Sequence, residues 1–163
     1  MRRLYYLDKN AERLPCKVSV KCQNLKIFSL FIKGEAFNFN LFLSRIMWCV
    51  TTYGKARIFY VEQEGKILHT SLVVPSCRKF PFLNKCDYEI GPCFTNESAR
   101  GKGYYPQTLD FIVKTLENAS NFYMIVDDAN IASIKGIKKA GFIETGYCVI
   151  RSKTGKHQKV KIS

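Results

Sequence analysis

Arg100-Gly101-Lys102-Gly103, followed by Tyr104, Tyr105 and Pro106, is the segment with the most chemistry in it. Paired glycines let backbone N–H groups converge without side-chain obstruction, and the N-terminus of a following helix adds partial positive charge. Such a nest suits an anion, above all phosphate, and Arg100 and Lys102 would reinforce it. An ordinary tight turn fits the same residues. The segment lacks the Gly-Lys-Ser/Thr ending of a nucleoside triphosphate loop and the three-glycine dinucleotide pattern.

The cysteines offer a second chemistry. Cys16, Cys22, Cys49, Cys77, Cys86, Cys93 and Cys148 are odd in number, and no two have C-x-x-C spacing. With His69 and His157 the only histidines, no metal site is expected. Reduced thiols packed as small hydrophobes are the default, as in Trp48-Cys49-Val50. A nucleophilic cysteine would need a base that the sequence does not place.

The elements that must position the loop can be read along the chain. Phe39, Phe42, Leu43, Ile46, Met47 and Val50 recur at helical spacing, and Gly54 can end that helix. Ala56 to Glu62 and Lys66 to Val74 read as a hairpin around Gln63-Glu64-Gly65. Asp87 to Thr95 reads as a strand interrupted at Gly91-Pro92. Proline cannot donate to a ladder, so a bulge or splay is expected there. Leu109, Ile112, Val113 and Leu116 predict a helix with Pro106 in its first turn. Phe122 to Val126 predicts a strand, Asn130 to Ala140 a helix ended by Gly141, and residues 146–152 and 157–162 a last, basic hairpin. Leu25 to Ile32 is open between strand and helix. This order predicts an α/β (α+β) fold, helices flanking a mixed, mostly antiparallel sheet.

Length and composition bound the rest. The 163 residues are 47% hydrophobic, enough for a core, and no linker divides them; one domain over 1–163 is expected. No apolar run reaches the roughly 18–20 residues of a membrane span, nor does the start read as a secretion signal, so a cytoplasmic setting without membrane contact is expected. Lys plus Arg is 26 against 13 Asp plus Glu, a net +13. That excess favours an anionic partner without choosing among nucleic acid, membrane surface and phosphorylated small molecule.

Arg100-Gly101-Lys102-Gly103 resembles the pyrophosphate loop of the GNAT superfamily of acyl-CoA-dependent N-acyltransferases, Arg/Gln-x-x-Gly-x-Gly/Ala between a strand and a helix. Arg100 and Gly103 fit; Tyr105 stands where Gly or Ala is usual. Asn130-Ile131-Ala132-Ser133, then Ala140-Gly141-Phe142 and Gly146, resembles the family's second motif, about 30 residues on. The resemblance covers roughly residues 55–150, an acyl-CoA core, and leaves 1–50 as an acceptor-side region.

The resemblance implies a strand pair that splays at Gly91-Pro92, with Cys93, Phe94 and Thr95 facing acetyl-CoA as cosubstrate. Backbone N–H groups near Cys93 and Phe94 would polarise the thioester carbonyl. The diphosphate would lie on the amides of Arg100, Gly101, Lys102, Gly103, Tyr104 and Tyr105. Asn130 and Ser133 would contact the pantetheine arm, although Asn130 also reads as a plain helix cap. Direct transfer needs a base for the amine. Glu89 is favoured and Asp87 is second; two apart on one strand, they face one side, and solvated edge charges are the alternative. Many family members carry a Tyr seven residues after the motif Asn; here Ile137 stands there. Tyr104, Tyr105 and Tyr147 are the substitutes by sequence, with Tyr105 retained as the catalytic candidate. His69 could line the acceptor side.

Three functions compete. The first is N-acetyl transfer to the primary amine of a small acceptor, which the charge makes anionic rather than a polyamine: an amino sugar or amino acid. The second, motivated by Ile137, is acyl-CoA binding without catalysis. The third is nucleic-acid binding, for which the chain has charge but no recognisable motif. Homodimerisation stays open.

Overall fold

The computed structural model describes residues 1–8, 17–35 and 37–162. Cys16 lies outside the described residues. The regular elements are β1 (Arg2–Asp8), β2 (Val20–Asn24), α1 (Phe39–Thr51), β3 (Arg57–Gln63), β4 (Lys66–Pro75), β5 (Tyr88–Thr95), α2 (Tyr104–Thr115), β6 (Asn121–Asp127), α3 (Ile131–Lys139), β7 (Ile143–Arg151) and β8 (His157–Lys161). A short 3-10 turn, Glu97–Ala99, precedes the loop that opens α2.

Among the described residues all the strands form one eight-stranded sheet in the order β2-β3-β4-β5-β6-β1-β7-β8. Every neighbouring pair is antiparallel except β5 and β6. The mixed, mostly antiparallel sheet expected from the sequence is therefore present. The inner strands β3, β4 and β6 carry long apolar runs because helices and loops cover both faces there. Phe59, Val73, Ile90, Phe122 and Met124 feed a core with Leu109, Ile112 and Val113 of α2 and Ile137 of α3. Ile58, Leu72 and Val74 feed the opposite core with Trp48 and Cys49 of α1.

Local signals set the helix ends. Asn38 caps α1, its side chain accepting from the Leu41 N–H at 3.1 Å. Gly54, at φ +71°, returns its N–H to the Cys49 carbonyl at 2.8 Å and turns the chain into β3. Asn130 caps α3 by accepting from the Ser133 N–H at 3.1 Å.

One reading needs correction. Leu25 to Ile32 is neither strand nor helix; apart from an isolated bridge between Lys26 and Ser29 it is a loop held by side chains. The Gln23 amide donates to the Ser29 and Phe31 carbonyls, both at 3.1 Å, so those groups need no ladder. Arg45 of α1 is buried and grips Glu35 at 2.5 and 2.8 Å while donating to the Leu30 carbonyl at 2.6 Å. Truncating Glu35 to Ala strands a buried guanidinium and is expected to cost about 3–5 kcal/mol in denaturant unfolding; a loss below about 1 kcal/mol would show that the pair is solvated. The other departure is an omission: β1 and β2 are unassigned from sequence, and β1 fills the slot between β6 and β7 while β2 forms the edge beside β3.

Candidate active site

The site begins where β5 leaves β6. These parallel strands pair only at Tyr88 with Phe122 and Glu89 with Tyr123. Beyond that β5 follows β4, through Ser71 with Cys93 and His69 with Thr95. β6 instead follows β1 to Arg2 opposite Asp127. The pairing of β4 with β5 slips between Ser71 and Val73, which face Cys93 and Ile90. One extra residue of β5 therefore sits at Gly91-Pro92, the bulge expected from proline's missing N–H. The two strands open into a V.

On the α2/α3 face, a cleft of about 580 Å³ runs from this V to the glycine loop. Cys93, Phe94, Thr95, Arg100, Gly101, Gly103, Tyr104, Tyr105, Asn130 and Ser133 line it, all of them sequence-predicted cofactor residues. Lys102 does not. Gly101 and Gly103 have φ of +77° and +78°, the left-handed region that favours glycine. Gly103 is the N-cap of α2, and no side chain caps that helix. Among the described residues, no protein acceptor takes the N–H of Gly101, Lys102, Gly103, Tyr104 or Tyr105. Uncapped amides at a helix N-terminus attract an anion. Arg100, Lys135 and Lys139 add positive charge around the same cleft. Diphosphate and the extended arm of coenzyme A fit this donor set and shape. Lys135, Gly136 and Lys139 were missed from sequence, although they share one helix face with Ala132 at three- and four-residue spacing.

A buried polar chain closes the inner end of the cleft. Thr95 Oγ1 lies 2.8 Å from His69 Nδ1, and His69 Nε2 lies 2.9 Å from Ser71 Oγ. The Ser71 and Tyr105 hydroxyls both lie beside the Cys93 thiol. The Tyr105 ring packs 5.5 Å from the His69 ring, centroid to centroid. It occupies the space of a missing side chain, because a Cβ on Gly136 would lie 2.5 Å from Tyr105 Cδ1. Burial lowers the His69 pKa to about 4, so the imidazole is neutral. Burial raises the Cys93 thiol to about 12, which makes it a poor nucleophile, and it raises the Tyr105 hydroxyl too. His69 thus lies behind the cleft, between Thr95 and Ser71, and is not part of its lining. Tyr104 lines the cleft, whereas Tyr147 is on β7 under the Lys159 ammonium, outside it.

The carboxylates separate. Glu89 is buried and lines a second cavity of about 210 Å³ at the V, with Arg2, Trp48, Phe80, Gly91, Pro92, Ile125, Asp127 and His157. Its ladder partners Val74 and Tyr123 belong to the α1-side core, so this cavity lies across the sheet from the cleft. Desolvation raises the Glu89 carboxyl to about 8, with Lys79 opposing the shift. Asp87 is not brought there. It is fully buried ahead of β5, accepting from the Asn84 N–H at 2.9 Å and the Asn121 amide at 2.8 Å. It ties the preceding loop to β6 and is neither an edge charge nor in reach of the V. His157, Trp48 and Phe80 were also missed, and nothing in their local sequence marks them.

Among the described residues, no cluster of three or more His, Cys, Asp or Glu could hold a metal, and no helix is long and apolar enough to cross a membrane.

No protein-family model and no curated protein matches the chain. Solved structures do. A GNAT-family acetyltransferase from Colwellia psychrerythraea is 19% identical with a TM-score of 0.64, over 88% of this chain and 52% of that one. This chain thus spans about half the length of that protein. Aminoglycoside acetyltransferase AAC(6')-Ib, solved with coenzyme A and kanamycin, is 15% identical with a TM-score of 0.59, over 86% and 92%. A predicted acetyltransferase solved with acetyl-CoA, from Clostridium acetobutylicum, is 17% identical with a TM-score of 0.55, over 78% and 90%. With its splayed strand pair, its uncapped glycine loop and these likenesses, the chain has the fold of the GNAT acetyltransferases.

Proposed function

We propose that the chain is an acetyl-CoA-dependent N-acetyltransferase acting on the primary amine of a small anionic acceptor, such as an amino sugar or amino acid. The observation that carries this reading is a pair of cavities on the two sides of one break in the sheet, one lined by Gly91 and Pro92 and the other by Cys93, with the uncapped loop at the far end of one and a buried carboxylate in the other. Both substrates can then be held at once, and positioning supplies much of the acceleration. The amides of residues 101–105 and the cations of Arg100, Lys135 and Lys139 hold the phosphates. Lys102 adds charge from outside the cleft wall. Residues 1–50 supply Arg2 and Trp48 to the acceptor side, in one acyltransferase domain whose core is residues 55–150.

Glu89 takes the amine proton. The amine nitrogen bonds to the acetyl carbon while N–H groups near Cys93 and Phe94 face the carbonyl oxygen. The carbon–sulfur bond breaks, the sulfur keeps the electron pair, and Tyr105 supplies its proton. Thr95, His69, Ser71 and Cys93 form the chain through which Tyr105 is reprotonated. With Ile137 in the usual tyrosine position and buried in the core, Tyr105 takes the acid's role from α2.

The test is release of the coenzyme A thiol from acetyl-CoA across a panel of amines. Amine-dependent release supports transfer. Tight binding without release would favour the second reading, a non-catalytic acyl-CoA-binding module. Tyr105→Phe is expected to lower kcat about 10²-fold with little change in KM for acetyl-CoA; an unchanged kcat would leave the thiolate to take its proton from water.

The six described cysteines are free thiols, which supports a reducing, cytoplasmic setting. Phe39, Leu43 and Val50 expose an apolar face on α1, which supports a homodimer; light scattering would measure its mass.

A further inference from the structure

The second cavity carries more information than a base. Two polar atoms in its wall have no hydrogen-bond partner among the described residues, Glu89 Oε2 and His157 Nδ1. Their side chains are 5% and 7% exposed. Buried atoms of this kind are normally paired, so two in one cavity mark where a ligand's polar groups belong.

The surroundings of the two atoms differ. Around His157 the charge is positive. Arg151 is its ladder partner across the last hairpin. The Lys79 carbonyl accepts the His157 N–H at 2.8 Å, which folds that hairpin back over the loop after β4. The Lys79 ammonium stands 4.1 Å above the ring of Trp48, and Arg2 lines the cavity directly. Among the described residues none of Arg2, Lys79 and Arg151 has a carboxylate partner. Burial first, and then crowding by neighbouring cations, push both Lys79 and His157 down, with Glu89 opposing the shift of Lys79. Lys79 feels the Glu89 carboxyl but closes no ion pair with it, and convergent cations without an ion-pair partner are what an anion neutralises. The acids of the cavity, Glu89 and Asp127, are on the two diverging strands.

We propose that this cavity receives the acceptor as a two-ended molecule, its primary amine against Glu89 and an anionic group, carboxylate or phosphate, against His157 and Arg2, with the charges of Lys79 and Arg151 behind that wall. The proposal rests on the acetyl-transfer reading and narrows its substrate. His157 is then a specificity-determining residue, donating from Nδ1 to the anion while its ring stacks on Phe80 at 4.9 Å. A volume of about 210 Å³ suits one amino acid or one sugar ring. A larger anionic substituent would leave past Arg2, whose side chain is at the exposed rim. A polycation of several rings is disfavoured by both size and charge.

Matched acceptors test this. With acetyl-CoA saturating, kcat/KM is measured for the α-amino acids against their carboxamides, for a hexosamine 1-phosphate against the free hexosamine, and for kanamycin. At least one anionic compound is expected to exceed its uncharged partner by tenfold or more, and the arm in which this happens distinguishes carboxylate from phosphate. In Lys79→Met and in His157→Phe, which keeps the stacking ring, that ratio is expected to fall toward one. Equal or better use of the uncharged partners or of kanamycin would overturn the two-ended acceptor while leaving acetyl transfer intact. If no amine is acetylated, the same pairs are compared by thermal shift. Stabilisation by the anionic partner that Lys79→Met abolishes would keep the site and sink the transfer reading; no anion-dependent stabilisation would overturn the site as well.

Discussion

Glu89→Gln is expected to lower kcat by about 10²–10⁴-fold and, in the same protein, to raise the melting temperature above neutral pH. Both effects have one cause. The carboxyl is buried, one of its oxygens has no partner among the described residues, and its pKa is raised from 4.5 to about 8. Between those values the folded protein keeps a proton that the unfolded chain gives up. Stability therefore falls as pH rises from about 4.5, and the full cost is present above about 8. Glutamine fills the same volume and cannot ionise, so its advantage over the wild type should be absent near pH 4 and grow to a few degrees by pH 9. The Glu89-dependent part of kcat/KM should run the other way, rising with pH and levelling above about 8, because only the ionised carboxylate can take a proton. Activity loss without the pH-dependent gain in stability would mean that Glu89 is solvated and serves in some other capacity.

Gly136→Ala should separate function from stability in the opposite sense. The added Cβ would lie 2.5 and 2.9 Å from Cδ1 and Cε1 of Tyr105, both on a rigid ring. Overpacking of this kind costs about 1–3 kcal/mol, and alanine returns about 1 kcal/mol through helix propensity within α3. The net change in denaturant unfolding should therefore stay below about 2 kcal/mol. The ring, however, must move away from Cys93 and His69, and a shift of about 1 Å at a reacting group costs about 10²-fold in rate. Combining Gly136→Ala with Tyr105→Phe should give no further loss of kcat, since both remove the same hydroxyl from the same place. Additive losses would show that Gly136 acts on something else, such as the path of the cofactor arm.

Much of the fold was legible because its signals are local. The apolar spacing of α1, the hairpin turn at Gly65 and the Gly101/Gly103 pair need only neighbouring residues to be understood. The break at Gly91-Pro92 was legible for the same reason: proline removes a ladder donor whatever lies alongside. β1 was not, because its place is defined by strands far along the chain, with Arg2 opposite Asp127 and Arg3 opposite Cys148. Leu4, Tyr5 and Leu7 are all buried, so no alternation of apolar and polar residues announced a strand. The region from Leu25 to Glu35 failed differently. Its backbone is satisfied by Gln23 and its shape is fixed by Arg45, interactions that periodicity does not encode.

The site divided along the same line. Residue types offered the glycine loop as an anion nest or a plain turn, and only the family resemblance pointed to a cofactor, whereas the carboxylates could not be told apart: Asp87 and Glu89 differ only in what three-dimensional packing does to them. One became a staple with both oxygens engaged, the other an under-bonded acid at the open strand pair. His157 and Lys139 reach their cavities only through folding of the last hairpin and of α3, so their chemistry emerged with the tertiary structure. Tyr105 was legible as a candidate, but the vacant Gly136 position that seats it was not.

The most direct measurement is a titration of the ¹⁵N-labelled protein with acetyl-CoA, followed amide by amide. Saturable shifts are expected at Gly101, Lys102, Gly103, Tyr104 and Tyr105, together with Cys93, Phe94 and Thr95 along the opened strand. No saturable change at millimolar acetyl-CoA, or changes confined to amides outside the cleft, would contradict the reading of this glycine loop as the grip on the cofactor.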